Sequence, residues 1–169
     1  MMGVPVLSLL ILLPAIGAVL VPFLRDAQTA RWFAFVFLFS DFLLAVWVLV
    51  SFDSSSATMQ FGEHYAWVPS LGISYRLGLD GISVWFVLLT TLLGWICVLA
   101  SWTSITMRVR EFMTCLLAMQ SLMVGVFCAL DMILFYILWE AMLVPMYLII
   151  GIWGGDNRIY AAFKFFLYT

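Results

Sequence analysis

Residues 131–164 read DMILFYILWEAMLVPMYLIIGIWGGDNRIYAAFK, and this stretch decides the fold because it sets a carboxylate inside an otherwise apolar run. From Met132 to Trp153 the chain is long enough to cross a bilayer as a helix, for which roughly 20 residues at about 1.5 Å each suffice, and Glu140 falls well inside it. A carboxyl group at that depth costs on the order of 3 kcal/mol, so Glu140 is expected to face protein or water and to have a partner. Five residues on, Pro145 has no N–H to offer the carbonyl of Ala141, which loosens the backbone beside the acid. Polar atoms therefore gather at one depth.

Working outward, Asp131 alone separates this span from a fourth one over Phe112 to Leu130, so the two form an antiparallel hairpin of neighbours. On the other side, GGDNR reads as a helix stop and turn, with Gly154 available for the left-handed position. A sixth segment begins near Ile159 and is still running at Thr169, about half the length needed to cross, so the chain reads as a fragment or a truncated product. Upstream, Met107 to Glu111 is a polar link, and Ile82 to Thr103 is the third span, with Asp80 placed to cap it. Asp53 to Asp80 is too polar for lipid and reads as an extramembrane loop. Within it Tyr65 to Val68 and Ile73 to Leu77 flank the turn-forming PSLG, a short β-hairpin. His64, the single histidine, reads there as solvated or bonded to its neighbours. Trp32 to Phe52 is the second span, and Val4 to Leu24 the first, with Pro14 and Gly17 as candidate bends. That first segment lacks a basic leader and a small-residue cleavage site, so it reads as a retained helix. The expected fold class is an all-α transmembrane bundle of five full spans plus the start of a sixth, with a short β-hairpin in the extracytoplasmic loop.

Composition agrees with that pattern: 66% of the 169 residues are hydrophobic and 9% charged, a surface no soluble domain presents to water. The net charge of -2 is too small to suggest nucleic acid or an acidic substrate. Cys97, Cys115 and Cys128 lack the spacing of a zinc site or a disulfide framework and read as packing residues. The distribution of charge is more informative. Odd-numbered links carry Arg25, Arg31, Arg108, Arg110, Arg158 and Lys164, whereas even-numbered links carry only Arg76. By the positive-inside rule the amino terminus and loop 53–80 lie outside the cytoplasm, which in a bacterial inner membrane is the periplasm.

No nucleotide fingerprint, P-loop, HExxH, GxSxG or cysteine cluster is present, so no redox cofactor, metal or hydrolytic site is expected in this chain. Glu140 remains, with Asp41 near the middle of the second span and Lys164 in the sixth segment. Buried acids and bases are the material of proton or cation relays. For Glu140 the competing reading is a packing hydrogen bond. For Asp41 it is a local cap or an interhelical hydrogen bond with Ser40, and for Lys164 it is snorkelling to the cytoplasmic interface.

LWEAMLVPMYLIIGIWGG at 138–155, followed by NRIYAAFKFFLYT, resembles the subunit M branch of the antiporter-like membrane subunits of NADH:quinone oxidoreductase, respiratory complex I. GLDGISVWFVLLTTLLG at 78–94 is similar to the third-helix signature of the wider family, which includes Mrp-type cation/proton antiporters and membrane-bound hydrogenases. The pattern WE-x-x-L-V-P-M-Y favours the subunit M branch. The resemblance implies a larger fold of about fourteen helices with inverted repeats. Residues 1–111 would supply its three leading helices with loop 53–80. Residues 112–169 would supply helices four and five and the start of six, opening the first repeat. It implies that Glu140 is the essential glutamate that tunes a lysine on a later helix. Lys164 matches the lysine of KFFLYT rather than that pumping lysine, and Asp41 matches no family motif. The implied function is proton translocation coupled to electron transfer from NADH to quinone. NAD, FMN, iron–sulfur clusters and quinone would then be held elsewhere in the complex. The implied partners are the neighbouring antiporter-like subunits and the lipid bilayer, with no nucleic acid. An Mrp-type antiporter or hydrogenase subunit is the alternative, and a non-conducting structural fragment the third reading.

Overall fold

A computed structural model describes residues 5–56 and 58–169. Six helices and one hairpin follow in order: α1 (Val6–Leu20), α2 (Ala27–Val50), β1 (Gln60–Val68), β2 (Ile73–Leu79), α3 (Ser83–Ala100), α4 (Val109–Cys128), α5 (Met132–Trp153) and α6 (Arg158–Tyr168). The first five helices are long and apolar enough to cross a membrane. All their backbone groups can be paired within the segment, the condition for lying in lipid.

α4 is the hub, packing on α1, α2, α3 and α5. Towards the hairpin, Leu7, Leu10, Val48, Leu79, Val87 and Val124 form one apolar cluster. Towards the opposite end, Ala30, Ala34, Leu38, Val98, Met113 and Leu117 form a second. Small residues let backbones approach in such bundles. Gly17 does so for α1, since a Cβ there would lie 2.9 Å from the Phe37 ring and 3.1 Å from Leu117. α1 runs unbroken through Pro14 as an α-helix, so the proline does not terminate it.

The boundaries depart from the sequence expectation where end-groups are captured. α3 stops at Ala100 rather than Thr103, where the Ser101 hydroxyl turns back onto the Val98 carbonyl. α4 begins three residues before Phe112, following Arg108 in a left-handed conformation (φ 53°). It ends at Cys128 because Ala129 and Leu130 join the hairpin, where the Leu130 N–H donates to the Arg76 carbonyl at 2.9 Å. Gly154 is not left-handed: with φ -68° and ψ 177° it is extended, and a Cβ there would lie 2.3 Å from the Ile150 carbonyl oxygen. Close approach, rather than a positive φ, is what demands glycine at 154. The hairpin strands are longer than expected, with a register shift between Gln60 and Glu63 that puts Phe61 at φ 54°. Gly72 takes the left-handed position in the turn at φ 69°.

Two carboxylates fasten this hairpin to the helices. Glu63, buried on β1, accepts the Leu7 N–H at 2.8 Å, the Ser8 N–H at 3.2 Å and the Ser8 hydroxyl. It thereby satisfies orphan donors in the first turn of α1 and sits favourably at the helix dipole. Asp131 caps α5 by accepting the Ile133 and Leu134 N–H groups at 2.9 and 3.2 Å, while its other oxygen accepts the Ser74 N–H and hydroxyl. The Ser74 amide, then the Leu134 amide, hold the Asp131 carboxyl below the usual carboxylate range. Asp80 makes a comparable start for α3, accepting the Ser83 N–H at 2.6 Å, and the Ser83 amide likewise lowers its pKa.

Replacing Glu63 by Ala leaves two backbone donors of α1 without partners. This is expected to cost about 1–3 kcal/mol and to speed hydrogen exchange at Leu7, Ser8 and the hairpin amides. For Asp131 the lowered folded pKa means that its stabilisation is complete above its unfolded value and is lost as pH falls through the folded one. Thermal melts across the acid range will show that loss in the native protein, and a smaller one in Asp131→Asn.

Candidate functional site

The α5 helix buries Leu134, Leu143 and Pro145 against its neighbours. Its opposite face is uncovered, and Ile133, Tyr136, Ile137, Glu140, Val144 and Leu148 fall on it at helical spacing. Glu140 is thus exposed at the middle of a membrane-spanning helix. Among the described residues no ion pair reaches Glu140; the polar group beside it is the hydroxyl of Tyr136, one turn back on α5 and itself exposed, so these six helices leave the acid on an open face. Pro145 lies within α5, one turn beyond, and is buried.

Lys164 is exposed on α6, with its ammonium 5.8 Å from the ring centres of both Tyr160 and Tyr168. At that range the aromatic faces attract the cation. α6 docks on α5 through Ala162, which a Cβ at Gly151 would approach to 3.6 Å, and through Tyr147 set edge-on to Phe163 and Phe166. No ion pair joins Lys164 to Glu140 or Asp41 among the described residues.

Asp41 is fully buried, and its partner is not Ser40. The Ser40 hydroxyl donates to the Val36 carbonyl of its own helix, whereas Asp41 Oδ2 accepts from Nε2 of Gln120 on α4 at 2.6 Å. Asp41 Oδ1 and Gln120 Oε1 have no partner among the described residues. The Gln120 amide approaches α3 closely because position 94 is glycine; a Cβ there would fall 1.5 Å from Gln120 Oε1. Next along α4, the Ser121 hydroxyl donates to the Ile11 carbonyl of α1 at 2.7 Å. Gln120 is the residue that charge counting passes over. An amide inside the apolar run 112–130 was the available signal, since a polar side chain at that depth must find a partner.

The basic side chains collect at the end opposite the hairpin. Arg31 donates to the Ile105 carbonyl and Arg110 to the Leu24 carbonyl, while the Trp153 indole N–H donates to the Met107 carbonyl. Arg25, Arg31, Arg108, Arg110 and Arg158 therefore lie on links that meet at one end of the bundle, and Arg76 at the other.

Residues 129–169 match the family model described as NADH:quinone oxidoreductase/Mrp antiporter, transmembrane. The chain is 42% identical over 177 residues to NADH-quinone oxidoreductase subunit M of Rickettsia typhi, covering all of this chain and 36% of that protein. It is 47% identical over 169 residues to the subunit M of Rhodobacter capsulatus, covering 96% of this chain and 32% of the relative. Among solved structures it superposes on a chain of respiratory complex I from Thermus thermophilus with a TM-score of 0.82 at 26% identity, over 96% of this chain and 32% of that one. The chain thus spans about a third of the length of the relatives it matches.

Gly94→Ala tests the α3–α4 contact. Helix propensity would favour alanine by about 1 kcal/mol, but the methyl group must displace Gln120 and break its bond to Asp41. Net destabilisation of about 1–2 kcal/mol is expected, seen as a lower melting temperature in detergent or lipid.

Proposed function

We propose that this chain, kin along its whole length to the antiporter-like subunit M proteins, supplies glutamate-bearing helices of a proton-translocating subunit in a bacterial NADH:quinone oxidoreductase. The observation that supports this reading is the uncovered, membrane-depth carboxylate of Glu140 on α5, one turn before the helix-internal Pro145. A charge there is tolerable only when a neighbouring segment brings a cation, a hydrogen-bond donor or water. Glu140 would hold its negative charge beside a buried lysine of such a segment, and that pairing would change as the pump cycles. Protonation of one group then alters the proton affinity of the other.

In this reading electrons travel through NAD, FMN, iron–sulfur clusters and quinone in other subunits, and this chain contributes no redox centre. Its partners are neighbouring antiporter-like membrane subunits within the inner membrane. The gathering of arginines at one end of the bundle supports an amino terminus and loop 53–80 on the periplasmic side. Residues 1–111 serve as leading helices, and 112–169 open the first inverted repeat. Lys164, with its ammonium 5.8 Å from the ring centres of Tyr160 and Tyr168, acts structurally.

The matching family model also covers Mrp antiporters, which keeps cation/proton exchange without electron transfer as a second reading. Copurification with flavin and iron–sulfur subunits favours the first and its absence the second. In the full-length protein, Glu140→Gln is expected to assemble normally but to lose most proton pumping in energised vesicles, with Glu140→Asp retaining part of it. Normal pumping by the Gln variant would leave Glu140 as a packing residue.

A further inference from the structure

The Asp41–Gln120 contact has a deficit that an ionised aspartate cannot repair. Asp41 lies about 21 Å along α2 at 1.5 Å per residue, and Gln120 is near the middle of α4. Their single bond, Nε2 to Oδ2 at 2.6 Å, leaves two oxygens, Asp41 Oδ1 and Gln120 Oε1, both buried and both without a donor. With the carboxylate charged, each of these atoms is an acceptor, and neither can serve the other.

Among the described residues, the elements packed against Asp41 offer no counter-charge. α1, α3 and the turn Val21–Phe23 contain no charged residue. On α4 the charged residues are Arg110 and Glu111 in its first turn, about two to three turns from Gln120, and Arg110 is engaged with the Leu24 carbonyl. The other titratable groups on these elements are the thiols Cys97, Cys115 and Cys128. On α2 itself Arg31 is ten residues away and bonded to the Ile105 carbonyl. A buried carboxylate without a cation or a full set of donors is strongly disfavoured.

We propose that Asp41 binds a proton in the resting protein, its Oδ1–H donating to Gln120 Oε1 while Gln120 Nε2 donates to Oδ2, so that a reciprocal acid–amide pair clasps α2 to α4 at mid-membrane. One proton converts two unsatisfied acceptors into a donor and an acceptor, and it removes the charge from the apolar interior. Gly94 leaves the space that the Gln120 amide occupies. The site is separate from Glu140, which lies on the uncovered face of α5, and it stands whether or not Glu140 relays protons.

The test is infrared difference spectroscopy of the full-length protein in its membrane complex at neutral pH, wild type against Asp41→Asn. Loss of a protonated-carboxyl carbonyl band in the variant, one that shifts in D2O, is the expected result. Gln120→Leu should keep that band but move it to higher frequency, because both hydrogen bonds of the pair are gone. Asparagine offers the same donor and acceptor without a proton, so Asp41→Asn is expected to melt at the wild-type temperature. Loss of a carboxylate band instead, a large rise in melting temperature in Asp41→Asn, or an unmoved band in Gln120→Leu would each overturn the assignment. Carbon-13 labelling of aspartate in the wild type reads the acid band without any substitution, should a variant fail to accumulate.

Discussion

Hydrocarbon offers no hydrogen-bond partner, and every polar atom that enters it must bring its own. This constraint accounts for most of what is observed in the bundle. Hydroxyls within the helices turn back onto their own backbone, as Thr91 does to the Val87 and Leu88 carbonyls and Thr114 to the Arg110 carbonyl. Ser121 instead spends its hydroxyl on α1 and joins two helices. The two acids near mid-span, Asp41 and Glu140, meet the constraint differently. Asp41 is enclosed by α2, α3 and α4 and has an amide to bond, whereas Glu140 stands on a face that these six helices leave open. One acid is enclosed by the packing of the bundle, and the other lies on its outer surface.

Outside the apolar slab the rules change, and the chain uses carboxylates freely. Glu63 and Asp131 each accept backbone amides at a helix start and also bind a second element, so the hairpin is tied to α1 at one point and to α5 at another. Burial pushes the Tyr75 hydroxyl up, with Ser8 as its hydrogen-bonding neighbour, which places this aromatic at the same seam. At the other end the fastening is done by arginines and an indole donating to carbonyls of the short links. The bundle therefore has an acid-latched end and a base-latched end, with an apolar middle interrupted at few points.

The helical spans were legible because length and hydropathy suffice for them: a run such as Met132 to Trp153 has no other stable state in lipid. The hairpin was legible from PSLG and its flanking strands, though not its full length, since the Gln60 to Glu63 irregularity depends on where Glu63 finds the start of α1. Glu140 and Asp41 announced themselves as charges at improper depth. Their environments did not, because orientation about a helix axis is set by which neighbours pack and not by position along the chain.

By itself, then, the amino-acid order determined the number of spans, the segregation of arginines to one set of links and the presence of acids at membrane depth. These are one-dimensional properties that each segment carries alone. Only the tertiary structure decided that Asp41 answers to Gln120 rather than Ser40, that Gly94 makes room for that amide, and that Glu140 points away from the bundle. Those outcomes require residues about 80 positions apart to be brought together. The rotation of each helix that does so is a compromise among all the surfaces it touches.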